Sequence, residues 1–272
     1  MTSTTHPVPS ASPTSSASPT SSTSPARPHP FWQLVRVEAR LFARSPAAVV
    51  WTALLPIAAI IVLGVVPGTR RPSGSLGGLS PLRVYLPILM MYVLLLSAAN
   101  LLPAVLSSYR ERGILRRLST TPVPPSRLLG AQGLIYLGVG VAIDIVLLVV
   151  AICCGVPVPR QLPGFVLSML LVAAATLGIG MLITAFARTE RIASALGMVV
   201  FFPMLFFAGM WIPRPTMPHL LRTISDFSPL GAGVRAVGAS LEGHFPAASP
   251  LLVLLAYAVG CGAIAARRFR WQ

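Results

Sequence analysis

The sequence predicts an all-α integral membrane fold. Six transmembrane helices follow an N-terminal amphipathic interfacial helix, a short charged helix sits in the first cytoplasmic connection, and a re-entrant outer segment joins spans five and six. Three observations predict this. Of 272 residues, 54% are hydrophobic and only 10% charged, against about 25% charged in soluble globular chains. The apolar residues come in long blocks rather than at helical or strand period. Nearly all the charges fall outside those blocks.

Residues 1–30 are Ser, Thr and Pro with almost no charge or hydrophobe. Such a stretch buries too little surface to offset ordering, which predicts a disordered cytoplasmic tail. It lacks the basic start and apolar core of a signal peptide, so the first apolar block is expected to act as the uncleaved insertion signal. Residues 31–46 follow as the interfacial helix. At about 100° per residue, Arg36, Arg40 and Arg44 share an edge with Gln33, while Phe31, Leu34, Val35, Leu41 and Phe42 lie across from them. Glu38 sits within the apolar arc, and either pairs with a nearby arginine or faces protein.

The transmembrane domain, 47–266, holds six blocks of about the 20 residues that the hydrocarbon core requires: 47–66, 84–106, 134–154, 165–186, 193–211 and 250–266. The last is the shortest. With the N-terminus inside, fourteen arginines fall on the cytoplasmic side and seven outside. The positive-inside rule then puts both termini, including the 267–272 tail, in the cytoplasm.

All 21 basic residues are arginine. Without lysine, a Walker A phosphate loop and Schiff-base chemistry are both excluded on this chain. Exclusive use of arginine points to a GC-rich bacterial genome. A net charge of +15 fits basic loops facing anionic lipid, so no nucleic-acid partner is expected. Cys153, Cys154 and Cys261 lie in apolar runs and have no ligand spacing. The four histidines are scattered, so no metal site is expected.

The cytoplasmic connection, 107–131, is the most charged stretch. Its residues 109–118 read as a short helix that TTPVPP stops, because proline cannot continue the hydrogen-bond ladder. Ile114, Leu115 and Leu118 form a small apolar face beside Arg116 and Arg117. That face either plugs into a groove on a cytoplasmic partner or belongs to a solvated loop that enforces topology. The outer segment, 212–249, carries Pro213, Pro215, Pro218 and Pro229 among apolar residues. This composition suits either short broken helices dipping into the outer leaflet or an ordinary extracellular loop.

Two motifs carry a resemblance. ERGILRRLSTTPVPPSRLL contains Glu111, Gly113, Leu115, Leu118, Thr121 and Pro122. FFAGMWIPRPTMPHLLRTISDFSPLGAGVRAV, residues 206–237, contains Gly209, Pro213, Met217, Pro218, Pro229 and Arg235. In this order and on these sides of the membrane, they resemble the membrane subunit of type-2 ATP-binding cassette exporters over about residues 31–270. Drug-resistance permeases of the daunorubicin/doxorubicin kind look closest. The resemblance implies a bacterial plasma-membrane permease without catalytic residues of its own. Glu111, Gly113, Ile114, Leu115 and Leu118 would form a coupling helix seated on a separate nucleotide-binding ATPase, which holds the ATP and magnesium. A second permease copy, identical or related, would complete the path. Gly209, Pro213, Pro218, Pro229 and Arg235 would belong to a re-entrant outer gate.

The substrate path has no such motif. Asp144, mid-span, costs about 2.5–3.5 kcal/mol on insertion scales. It attracts a cationic amphiphile, relays protons, or is a protonated acid bonded to a neighbour such as Asn100. Met90, Met91 and Asn100 with Phe201, Phe202, Phe206 and Phe207 would supply an apolar, adaptable lining. Pro56, Pro87, Pro103 and Pro203 either kink their spans as hinges or are merely tolerated there. The expected function is ATP-driven export of a small amphiphilic substrate (drug, antibiotic or lipid-like). The alternative is an ion- or proton-coupled carrier using Asp144. A lipid-modifying enzyme would need a cluster of polar catalysts near the interface, and none is legible.

Overall fold

A computed structural model describes residues 50–111 and 125–268. The tail 1–30, the interfacial helix 31–46, most of the coupling stretch and residues 269–272 lie outside the described residues. Within them every regular element is helical. We label the main helices α1 (Leu55–Val65), α2 (Pro81–Leu96), α3 (Leu102–Glu111), α4 (Pro125–Cys153), α5 (Leu162–Phe186), α6 (Glu190–Ala208), α7 (His219–Phe227), α8 (Pro229–Glu242) and α9 (Ala248–Arg268).

Five helical stretches are long and apolar enough to cross a bilayer: Gly74–Ser108, Gln132–Cys153, Leu162–Phe186, Glu190–Ala208 and Ala248–Arg268. The first expected span is represented by the shorter helix Val50–Val65. The span expected to be shortest, 250–266, instead belongs to a 21-residue helix. Polar residues at both of its ends, Ser249 and then Arg267 and Arg268, extend the helix past the apolar run from which its length was read. α4, with 29 residues, reaches about 43 Å and so projects beyond a hydrocarbon core of about 30 Å.

Two helices widen into a π turn, and each π turn precedes a proline by the same offset. The turns are Val50–Leu54 before Pro56 and Ser97–Leu101 before Pro103. Proline lacks an N–H and its ring crowds the carbonyl four residues back, so the ladder must open there. In the first turn the Trp51 carbonyl faces Pro56 five residues on, and the Tyr92 hydroxyl donates to it instead at 2.7 Å. In the second the matching carbonyl is that of Ala98. It lies directly against Gly180 of α5, where any side chain would collide with it.

α2 is the central helix: Leu86 through Leu96 are all buried, as expected of a segment that is apolar all round. Ser80 caps its start by accepting the Arg83 N–H at 3.4 Å, with Pro81 at the first helical position. Small residues let the other helices close in. A Cβ on Gly178 of α5 would stand 3.3 Å from the Ala258 carbonyl of α9, and one on Gly197 of α6 would stand 2.8 Å from the Ala99 carbonyl. α8 buries Gly231, Ala232, Gly233 and Ala236, packing against α2, α5, α6 and α9. The chain passes back and forth, so 66–80, 154–161 and 209–247 gather at one end, called the outer end after the orientation expected from the arginine distribution. Glu111 and 187–189 meet at the other.

Candidate functional site

At the inner end, α3 does not break at residue 109. The helix entering from α2 runs through Glu111, so the first residues of the expected coupling helix continue the second span. Glu111 Oε1 accepts the backbone N–H of Glu190 at 2.8 Å. Glu190 is the first residue of α6, where N–H groups lack intrahelical partners and the helix dipole favours a carboxylate. Thr189 serves the same end by accepting the Ile192 N–H at 3.2 Å. Glu111 thus fastens the inner end of one membrane helix to the start of another. An open cleft lined by Glu111, Thr189, Glu190, Arg191 and Ser194 surrounds this junction. Gly113, Ile114, Leu115 and Leu118 lie outside the described residues.

The five residues expected along a substrate path divide into two groups. Met91, Asn100 and Asp144 are buried in the packed interior. Met91 fills the space beside Gly233 of α8, its Sδ 2.6 Å from where a Cβ would stand. Asn100, in the second π turn, faces Gly197 of α6, and neither of its amide atoms has a partner among the described residues. Asp144 is 1% exposed, and both of its oxygens likewise lack a partner. Gly64 of α1 meets Cys154 of α4, and both helices run in the same sense. Ten residues earlier, Asp144 therefore stands level with the Val50–Leu54 turn, where buried Thr52 also has an unpartnered hydroxyl. Phe202 is instead exposed on α6 and Phe206 half-buried there, their ring centroids 6.5 and 6.4 Å from that of Trp211.

At the outer end, Gly209 closes α6 with φ 99°, a left-handed conformation that suits glycine. Pro213 precedes the short turn Arg214–Thr216, Pro218 precedes α7, and buried Pro229 opens α8. Ser228 caps that opening by accepting the Gly231 N–H at 3.0 Å. Arg235 of α8 pairs with Asp226 of α7 at 3.3 Å. Arg214 grips the same carboxylate with both forks, Nη2 donating at 2.7 and 3.0 Å and Nε at 3.1 Å.

Asp226 is the residue that sequence reasoning missed: one half-buried carboxylate ties the turn after α6 to α7 and α8. Its signal was present, since it is the only acid between Glu190 and Glu242 in a stretch holding Arg214, Arg222 and Arg235. Beside this triad opens a cavity of about 600 Å³, floored by the start of α2 and walled by α8 and the turn after α6.

A search of curated proteins finds no match. The family model described as ABC-2 type transporter matches residues 29–241, which takes in the helices from α1 to α8. The family implies an ATPase partner subunit. This chain belongs to the ABC-2 type transporter family, as a membrane permease component.

Proposed function

We propose that this chain is the permease subunit of an ATP-driven exporter that moves a small amphiphilic substrate out of the cell. ATP and magnesium bind a separate nucleotide-binding subunit, which docks on residues 111–118 through Ile114, Leu115 and Leu118. A second permease copy completes the path. The carrying observation is the Glu111–Glu190 hydrogen bond, because it gives a force applied at the coupling stretch a direct route into α6. α6 ends at Gly209, from which the chain enters the outer cluster of Arg214, Asp226 and Arg235. Displacement of α6 would then reach the outer gate, formed by the re-entrant pair α7 and α8, through the backbone itself.

The test is ATP-dependent doxorubicin uptake into everted membrane vesicles. Glu111→Ala should lower it about tenfold or more, since the contact is removed rather than weakened, at an unchanged level of chain in the membrane. Glu111→Gln keeps an acceptor for the Glu190 N–H and should retain most of the activity. Full transport by Glu111→Ala would refute the coupling route. The unpartnered burial of Asp144 favours one second reading, a proton-coupled carrier. That reading predicts transport that survives ATP depletion and stops in Asp144→Asn.

A further inference from the structure

We propose that the cavity at the outer end binds an amphiphile by an anionic, phosphate-class headgroup. Four arginines line it: Arg83 from α2, Arg214 from the turn after α6, Arg222 from α7 and Arg235 from α8. Among the described residues only two carboxylates stand against them, Glu242 in the wall and Asp226 behind it. The difference, four less two, leaves two positive charges. Their commitments are unequal. Arg214 and Arg235 are held by Asp226. Arg222 donates one Nη2 hydrogen to the Pro215 carbonyl at 3.1 Å, while its buried Nε has no partner among the described residues. Among the same residues no hydrogen bond or ion pair engages the Arg83 guanidinium.

A buried donor left without a partner, as at Arg222 Nε, is costly, and positive-inside statistics disfavour arginine at this end of the bundle. Arginine forks match the paired oxygens of a phosphate, so an anionic headgroup resolves both costs at once. The rest of the wall is apolar, including Pro87, Ile88, Ala208 and Val234. Such a cavity suits an acyl or other hydrocarbon body rather than a bare ion. This ligand is opposite in charge to the cation that Asp144 would attract, so the two sites select different chemistry. The inference concerns binding alone and stands whatever drives transport.

The experiment titrates the purified full chain, in non-ionic detergent and phosphate-free buffer, with dihexanoyl phosphatidic acid, dihexanoyl phosphatidylcholine and inorganic phosphate, read by native mass spectrometry. Phosphatidic acid should bind about tenfold or more tighter than the other two, as expected for charge-assisted pairing plus an apolar body. The R83Q/R222Q double variant should lose at least about tenfold of that affinity, and R83K/R222K, which keeps the charge, should recover part of it. Should the double variant fail to fold, R83Q alone, altered at an exposed side chain, should still weaken binding. Unchanged affinity in these variants would overturn the proposal. Inorganic phosphate binding as tightly as phosphatidic acid would show a site for the free ion and overturn the amphiphile reading. No ATPase or ATP is present, so failure here leaves the Glu111 route untouched.

Discussion

Gly180 shows how a single missing side chain sets the geometry of the interior. The Ala98 carbonyl, five residues before Pro103, has no N–H to meet at that distance along its own helix, and it rests against the bare backbone of Gly180. A methyl group there has nowhere to go, because the atom it meets is backbone rather than the flexible end of a side chain. Gly180→Ala should therefore destabilise the bundle by about 1–3 kcal/mol, read as a lower unfolding temperature in detergent. Gly138 on α4 has nothing within 4 Å of the point where an added methyl would stand. Gly138→Ala should leave stability unchanged or raise it by up to about 1 kcal/mol through helix propensity. Equal effects at the two glycines would refute the close-packing account. Both glycines are plain in the sequence, but only the fold distinguishes them, because the partner of Gly180 lies some eighty residues away.

At the scale of the element, the two π turns decide where side chains point beyond them. A π turn takes in an extra residue, so the helix beyond it is rotated by about 100° relative to an uninterrupted α-helix. Past the turn at Ser97–Leu101, that rotation sets the side of α3 on which Glu111 projects, toward Glu190. Pro103→Ala restores the N–H and lets the α ladder continue, which should swing Glu111 away from α6. A cross-link by a short bis-maleimide between cysteines placed at 111 and 190, with Cys153, Cys154 and Cys261 replaced by alanine, should form when Pro103 is present. It should be largely lost in Pro103→Ala. Cross-linking that ignores Pro103 would contradict this role. The prolines in the apolar blocks were legible either as kinks or as tolerated residues; π turns precede Pro56 and Pro103, while Pro87 and Pro203 sit inside continuous α-helix. The consequence of Pro103 for Glu111 was not legible, since it depends on a hydrogen bond between residues 79 positions apart. Residues 109–111 resemble the start of a separate helix because their charges end the apolar run; helical geometry simply carries on through them.

Over the whole molecule, the apolar blocks were readable because lipid imposes a length and a composition on every crossing. Five of the six emerge as full-length helices, and the first is shorter within the described residues. The clustering of functional residues was less readable. Asn100 and Met91 sit in tight packing against α6 and α8, and Phe202 lies on the surface, because a one-dimensional pattern does not say which side of a span meets another helix. In the sequence the outer arginines are only charges on the unfavoured side, while the fold brings four of them around one cavity. The account as a whole rests on a division of labour. In the proposed function this chain transmits motion from its inner cluster to its outer one, and a separate protein supplies the energy. The most direct measurement is to purify the tagged chain from native membranes in mild detergent and identify what accompanies it. A soluble ATPase in near-stoichiometric amount, lost when Glu111 and Leu118 are both changed to alanine, is the predicted result. Intact chain that carries no ATPase, under conditions that preserve other membrane complexes, would contradict it.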